Sequence, residues 1–123
     1  MGLTTVGKEI IAKALMGDAI TEFDHDNAYL GVGDSSTAFA AAQTDLQGAN
    51  KKRVGMETSY PTRDATAITW KSSFGADDGN WNWLENAVFN AASAGEMLAR
   101  DVEDLGTKVQ GTVWVLTKEG TIT

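Results

Sequence analysis

The spacing of apolar residues changes once along this chain, and that change decides its fold class. Near the N-terminus Val6, Ile10 and Ala14, with Ile11 and Leu15, fall at helical intervals. From about Arg53 onward the apolar residues alternate instead. A helix returns to the same face every 3.6 residues, whereas a strand turns successive side chains to opposite faces. The chain therefore predicts an α+β, mostly β protein, with an N-terminal helix followed by an antiparallel β-sandwich or barrel-like domain.

The helix is expected over residues 4–16. Thr4 or Thr5 can cap it, because a hydroxyl accepts a hydrogen bond from a free N–H of the first turn. Gly17 is a natural stop, since glycine adopts the left-handed conformation that ends many helices. A short strand and a second helix are expected over 28–47. Ala28 to Asp34 reads as the strand. Ser35, Ser36 or Thr37 would cap the helix, Phe39, Ala42, Gln43 and Leu46 would form its face, and Gly48 would end it.

The β-rich region runs over 53–118. Val54, Met56, Thr58 and Tyr60 sit two apart, and Pro61 ends that ladder. Ile68, Trp70, Ser72 and Phe74 form a second ladder. Trp81, Trp83, Glu85, Ala87 and Phe89 form a third, with Leu84 and Val88 opposite. Met97 to Val102 and Thr112 to Thr117 complete the series. Val113 and Val115 share one face of the last strand, with Trp114 and Leu116 on the other; Gly120 to Thr123 would extend it or trail off as an arm. Short turns between consecutive strands favour antiparallel pairing. The 123 residues suit one domain, 1–123.

Charge and composition narrow the function. Seventeen acidic against ten basic residues give a net charge of -7, which opposes binding to phosphate backbones, so no nucleic-acid partner is expected. No apolar run approaches the ~18 residues that span a membrane, and no membrane partner is expected. The N-terminus lacks the basic start and apolar run of a signal peptide. Cysteine is absent, which removes thiolate chemistry and Cys–zinc sites.

Catalytic chemistry finds little to work with. His25, in Asp24-His25-Asp26-Asn27, is the one imidazole and sits in a polar loop. Asp24 and Asp26 resemble the start of a calcium loop, but the glycine and distal glutamate of that motif are missing. Asp77-Asp78 is no stronger. Gly31-Val32-Gly33-Asp34 lacks the third glycine of a dinucleotide loop and the Gly-Lys-Ser/Thr of a P-loop; it reads as a strand exit. No enzyme activity, catalytic residue, metal or cofactor is expected.

Tryptophan is the unusual component, with four in a small chain. Trp70 and Trp114 read as core. Trp81 and Trp83 flank the turn Asp77-Asp78-Gly79-Asn80, near a sheet end. Tryptophan is over-represented among interface anchors because one ring removes much apolar area from water at low entropy cost. Trp81, Trp83 and Tyr60 are the candidate partner-interface residues. Stacking of Trp81 and Trp83 on sugar, as in a carbohydrate-binding module, is the lesser alternative.

Two stretches carry a resemblance. Asn27-Ala28-Tyr29-Leu30-Gly31-Val32-Gly33-Asp34-Ser35-Ser36-Thr37-Ala38-Phe39, continued by Gln43 to Gly48, resembles the N-terminal half of small virion proteins of tailed bacteriophages. Trp83-Leu84-Glu85-Asn86-Ala87-Val88-Phe89 through Met97-Leu98-Ala99-Arg100 resembles their second half. The leading helix, Leu3 to Leu15, and the segment Leu84 to Phe89 are also similar to the attachment domain of tail-collar fibre proteins, with Ala87 where that group carries glycine.

The resemblance implies a virion structural protein, made in the host bacterial cytoplasm and located in the virion. Head decoration (cement) is the favoured role, binding the major capsid protein on the outside of the shell. A tail, collar or fibre adaptor binding tail subunits is the alternative. Homo-oligomers, a trimer among them, would suit either role. The terminal segments Gly2–Thr5 and Glu119–Thr123 would then lie on neighbours as arms.

Overall fold

The computed structural model describes residues 1–122; Thr123 lies outside the described residues. Helix α1 spans Thr5–Met16. Seven strands follow: β1 (Tyr29–Gly33), β2 (Lys51–Gly55), β3 (Thr62–Asp64), β4 (Ala67–Phe74), β5 (Glu85–Phe89), β6 (Met97–Val102) and β7 (Trp114–Thr121). They form two antiparallel sheets, one ordered β2-β1-β5-β6 and the other β3-β4-β7. The expected α+β, mostly β architecture is the one observed.

Apolar residues from both sheets meet between them. Leu30 and Val32 of β1 and Val88 of β5 pack with Trp70, Phe74 and Leu116 of the opposite sheet. Trp83 drops into the same core. Its ring lies 4.8 Å from that of Phe74 and 5.0 Å from that of Trp114, both edge-on, and its indole N–H donates to the Gly79 carbonyl at 2.8 Å. Edge-to-face packing of this kind adds to the stabilisation from burial alone.

Central strand β5 is buried at every position, so its second face also needs a cover. Residues 35–50 supply it. Leu46 packs on Ala87, Phe89 and Met97 in a second apolar cluster. This segment is not the helix its alanine-rich composition suggests; it is irregular throughout. The cause is a competing set of hydrogen bonds. The Glu85 carboxylate accepts from the backbone N–H of Gln47 and Gly48, each at 2.7 Å, and of Ser35 at 3.3 Å. The Ser35 hydroxyl accepts from Thr37 N–H, closing a local turn in place of a helix cap.

Strand bounds also differ from expectation, the last strand among them, which runs Trp114–Thr121 in place of Thr112 to Thr117. The ladder through Tyr60 ends at Gly55, because Glu57 N–H bonds to the Lys71 carbonyl and carries the chain across to the other sheet. β3 then lies beyond Pro61, after a cis Tyr60–Pro61 peptide. The third ladder begins at Glu85, not Trp81, since the Trp81–Leu84 backbone bonds to the 103–108 segment instead. Both expected arms are absorbed into the fold over their described residues; Thr123, the end of the second, is not among these. Gly2 and Thr4 bond to β6, and Glu119–Thr121 belong to β7.

Candidate interaction surface

Helix α1 is anchored at one end only. The Thr4 hydroxyl accepts from Gly7 N–H at 2.8 Å and donates to the Met97 carbonyl at 2.6 Å, and Thr4 is fully buried. Gly7 rides directly on β6, where a Cβ would stand 2.3 Å from the Leu98 carbonyl oxygen. Ile10 is buried behind it. Beyond Ile11 the support stops. Residues 12–19 are all exposed, with Leu15 at 82% and Met16 at 79%. Gly17, at φ 75, then ends the helix. The predicted apolar stripe is thus covered over its first half and bare over its second.

Between α1 and the β3-β4-β7 sheet lies an apolar groove of about 800 Å³. Ile10, Ile11 and Ala14 form one wall and Ile68, Trp70 and Ile122 another. Ile20 and Phe23 close one side, and Glu22, Asp24, Arg63 and Glu119 line it as well. Apolar surface gathered in an open groove is the kind of feature at which partners bind.

The three residues singled out in sequence do not form one site. Trp83 is 2% exposed and is a core residue, so its place among the interface candidates is corrected. Its pairing with Trp81 as a sugar-stacking platform goes with it. The signal missed was the strand start: with the ladder beginning at Glu85, the parity of the preceding residues carries no information about which face they occupy. Trp81 is half-buried against the core, with its indole N–H buried and without a protein partner. Tyr60 is half-buried beside the groove-lining Pro61, with the Lys71 ammonium 5.3 Å from its ring centroid.

The polar candidates are committed to local structure. His25 donates from Nδ1 to the Tyr60 carbonyl at 2.7 Å. Asp24 accepts from both the backbone and the side-chain N–H of Asn27. Among the described residues, no group of three His, Asp or Glu side chains is placed to hold a metal ion. Gly33 leaves room for a carboxylate of this protein itself, as a Cβ there would stand 2.3 Å from Glu85 Oε2.

Sequence reasoning missed one buried and one partly buried ion pair. Glu85 and Arg100 are both fully buried and meet at 2.8 Å. Arg100 also donates to Gln43 Oε1 and to the Thr37 carbonyl. This network has its bonds satisfied within the chain and clamps residues 35–50 to the sheet. On the opposite face of that sheet, Lys118 of β7 bonds to Asn86 and Asp101. Burial raises the Asp101 pKa, but the hydrogen bond and charge of Lys118, with the Gly2 N–H, outweigh it and hold the carboxyl below its usual range. Asp45 is lowered against burial in the same manner by Lys51, the Leu46 N–H and Arg53.

Comparison of the chain with protein-family models, curated proteins and solved structures finds no match in any of the three.

Proposed function

We propose that this chain is a bacteriophage virion structural protein, a capsid decoration subunit that binds the outer surface of the head shell and stabilises it. The observation that carries the binding role is the bare half of α1 beside an open apolar groove. The likeness to small virion proteins supplies the setting. A rigid sandwich holds both apolar features in fixed relation, so contact with a neighbour costs little ordering. Binding energy gained only in the assembled shell favours that shell over its parts. The partner on this reading is the major capsid protein, and the site of action is the virion.

The test is the protein content of purified tail-less heads. Mass spectrometry detecting the chain there in a fixed ratio to the capsid protein supports decoration. Detection only in tails would replace it with the tail or collar adaptor. Absence from mature particles would remove both.

A further inference from the structure

We propose that Lys118 and Asn86 join covalently, side chain to side chain, in an amide bond formed with loss of ammonia and promoted by Asp101. The inference stands apart from the particle setting, because it rests on three side chains inside the sandwich.

The strand registers bring these three together. Asn86 of β5 stands opposite Asp101 of β6 and, on its other side, opposite Val32 of β1. Lys118 of β7 stands opposite Trp70 of β4 in the other sheet. Directly opposed residues share a face, and Val32 and Trp70 belong to the apolar core between the sheets. Lys118 therefore reaches across that core from one sheet to the other. Asn86 is 3% exposed and Lys118 7%. Lys118 Nζ lies 2.5 Å from Asn86 Oδ1 and also bonds to Asp101 Oδ2. The Gly2 N–H, donating to Asp101 Oδ1 at 2.8 Å, fixes that carboxylate in place.

The site holds a nucleophile, an electrophile and a base. A C=O bond is about 1.2 Å long, so the Asn86 carbonyl carbon is at most about 3.7 Å from Nζ. Groups held at about 3–3.5 Å react as if each were present at very high concentration. Asp101 takes a proton from the Lys118 ammonium and frees the lone pair of Nζ. Nζ attacks the carbonyl carbon; the Nζ–C bond forms and the C–Nδ2 bond breaks. Of the three protons on Nζ, one stays on the new amide and one leaves with Nδ2 as ammonia. The third passes through Asp101 to that ammonia, which departs as ammonium. Nothing is oxidised or reduced.

Closure removes a positive charge from the core, where its burial is costly. The Asp101 side chain is 33% exposed, which gives the ammonium a way out. The product ties β5 to β7 across 32 residues of sequence. It restricts the unfolded chain as a disulfide would, in a chain without cysteine. Before closure Lys118 and Asp101 are the ion pair described above, and Asn86→Ala holds the chain in that form.

Intact-mass spectrometry of the purified full chain, unfolded before measurement, tests this. The expected mass is one ammonia below that calculated for the chain, and protease digestion should yield one branched peptide containing both Asn86 and Lys118. Asn86→Ala, Lys118→Arg and Asp101→Asn should each show their full calculated mass. Should those variants fail to fold, the mass and peptide map of the unaltered chain decide the matter. A full calculated mass for the folded chain after incubation at neutral pH, or ammonia lost with no peptide joining Asn86 to Lys118, would overturn the proposal. A bond that forms equally well in Asp101→Asn would overturn the part given to Asp101.

Discussion

The segment at residues 35–50 has no regular structure yet is held tightly; the C-terminal half of α1 is regular and held by almost nothing. The first is pinned by Glu85 and Arg100, both fully buried, and by Leu46 in its apolar seat. The second ends in Leu15 and Met16, exposed to solvent. Regularity and order are separate properties. Order follows from what the rest of the chain places against a segment, and a helix without a partner surface keeps its apolar stripe available.

The largest expected effect breaks the pinned side. Arg100→Ala leaves the Glu85 carboxylate buried without its cation, and loss of one partner of a buried pair costs about 3–5 kcal/mol. Urea unfolding should show that loss, and hydrogen exchange should show residues 35–50 losing protection first. A loss of under about 1 kcal/mol would mean that the clamp is not what holds the segment.

Trp83→Ala should cost a similar amount, about 3–5 kcal/mol, because the ring fills the core between Phe74 and Trp114. A surface anchor would instead lose binding and keep stability, so thermal unfolding of this variant separates the two roles. On the anchored end of α1, Thr4→Ala removes a cap and a buried hydroxyl, at about 1–2 kcal/mol. Unfolding midpoints in urea measure it.

Acid should act on the Asp101–Lys118 pair. The folded pKa of Asp101 lies below its unfolded value of about 3.9, so its stabilisation is fully present above that pH and is lost as pH falls through the folded pKa. Thermal midpoints should therefore drop below about pH 4, and Asp101→Asn should flatten part of that slope.

The smallest stability effect is expected on the bare helix. Leu15→Gln and Met16→Gln, singly, should change stability by no more than about 0.5 kcal/mol, since neither side chain has a packing partner to lose and glutamine keeps helix propensity without opposing the helix dipole. A larger loss in urea unfolding would place these residues against the fold after all.

Local signals carried much of the fold. Thr4 and Gly17 bound α1 as expected, and Ile68 to Phe74 and Met97 to Val102 lie in strands as their alternation requires. The failure at 35–50 has a definite cause. Helix propensity decides little even in an alanine-rich run, and here it loses to a carboxylate and a guanidinium some fifty residues away in sequence. Nothing local marks Glu85 as buried, because its environment is built by β1, β6 and a loop together.

The candidate surface was legible in part. The apolar stripe of α1 is visible in the spacing, but where its cover ends depends on the reach of β6. Trp83 misled because indoles serve cores and interfaces alike, and only the strand start distinguishes the two here.

The most direct measurement is co-sedimentation of the purified chain with tail-less phage heads, comparing it with the Leu15→Gln/Met16→Gln double variant. The predicted result is saturable binding by the unaltered chain and loss of binding by the variant, with both equally stable in urea. Equal binding by the two chains, or none by either, would contradict a docking role for the uncovered half of α1.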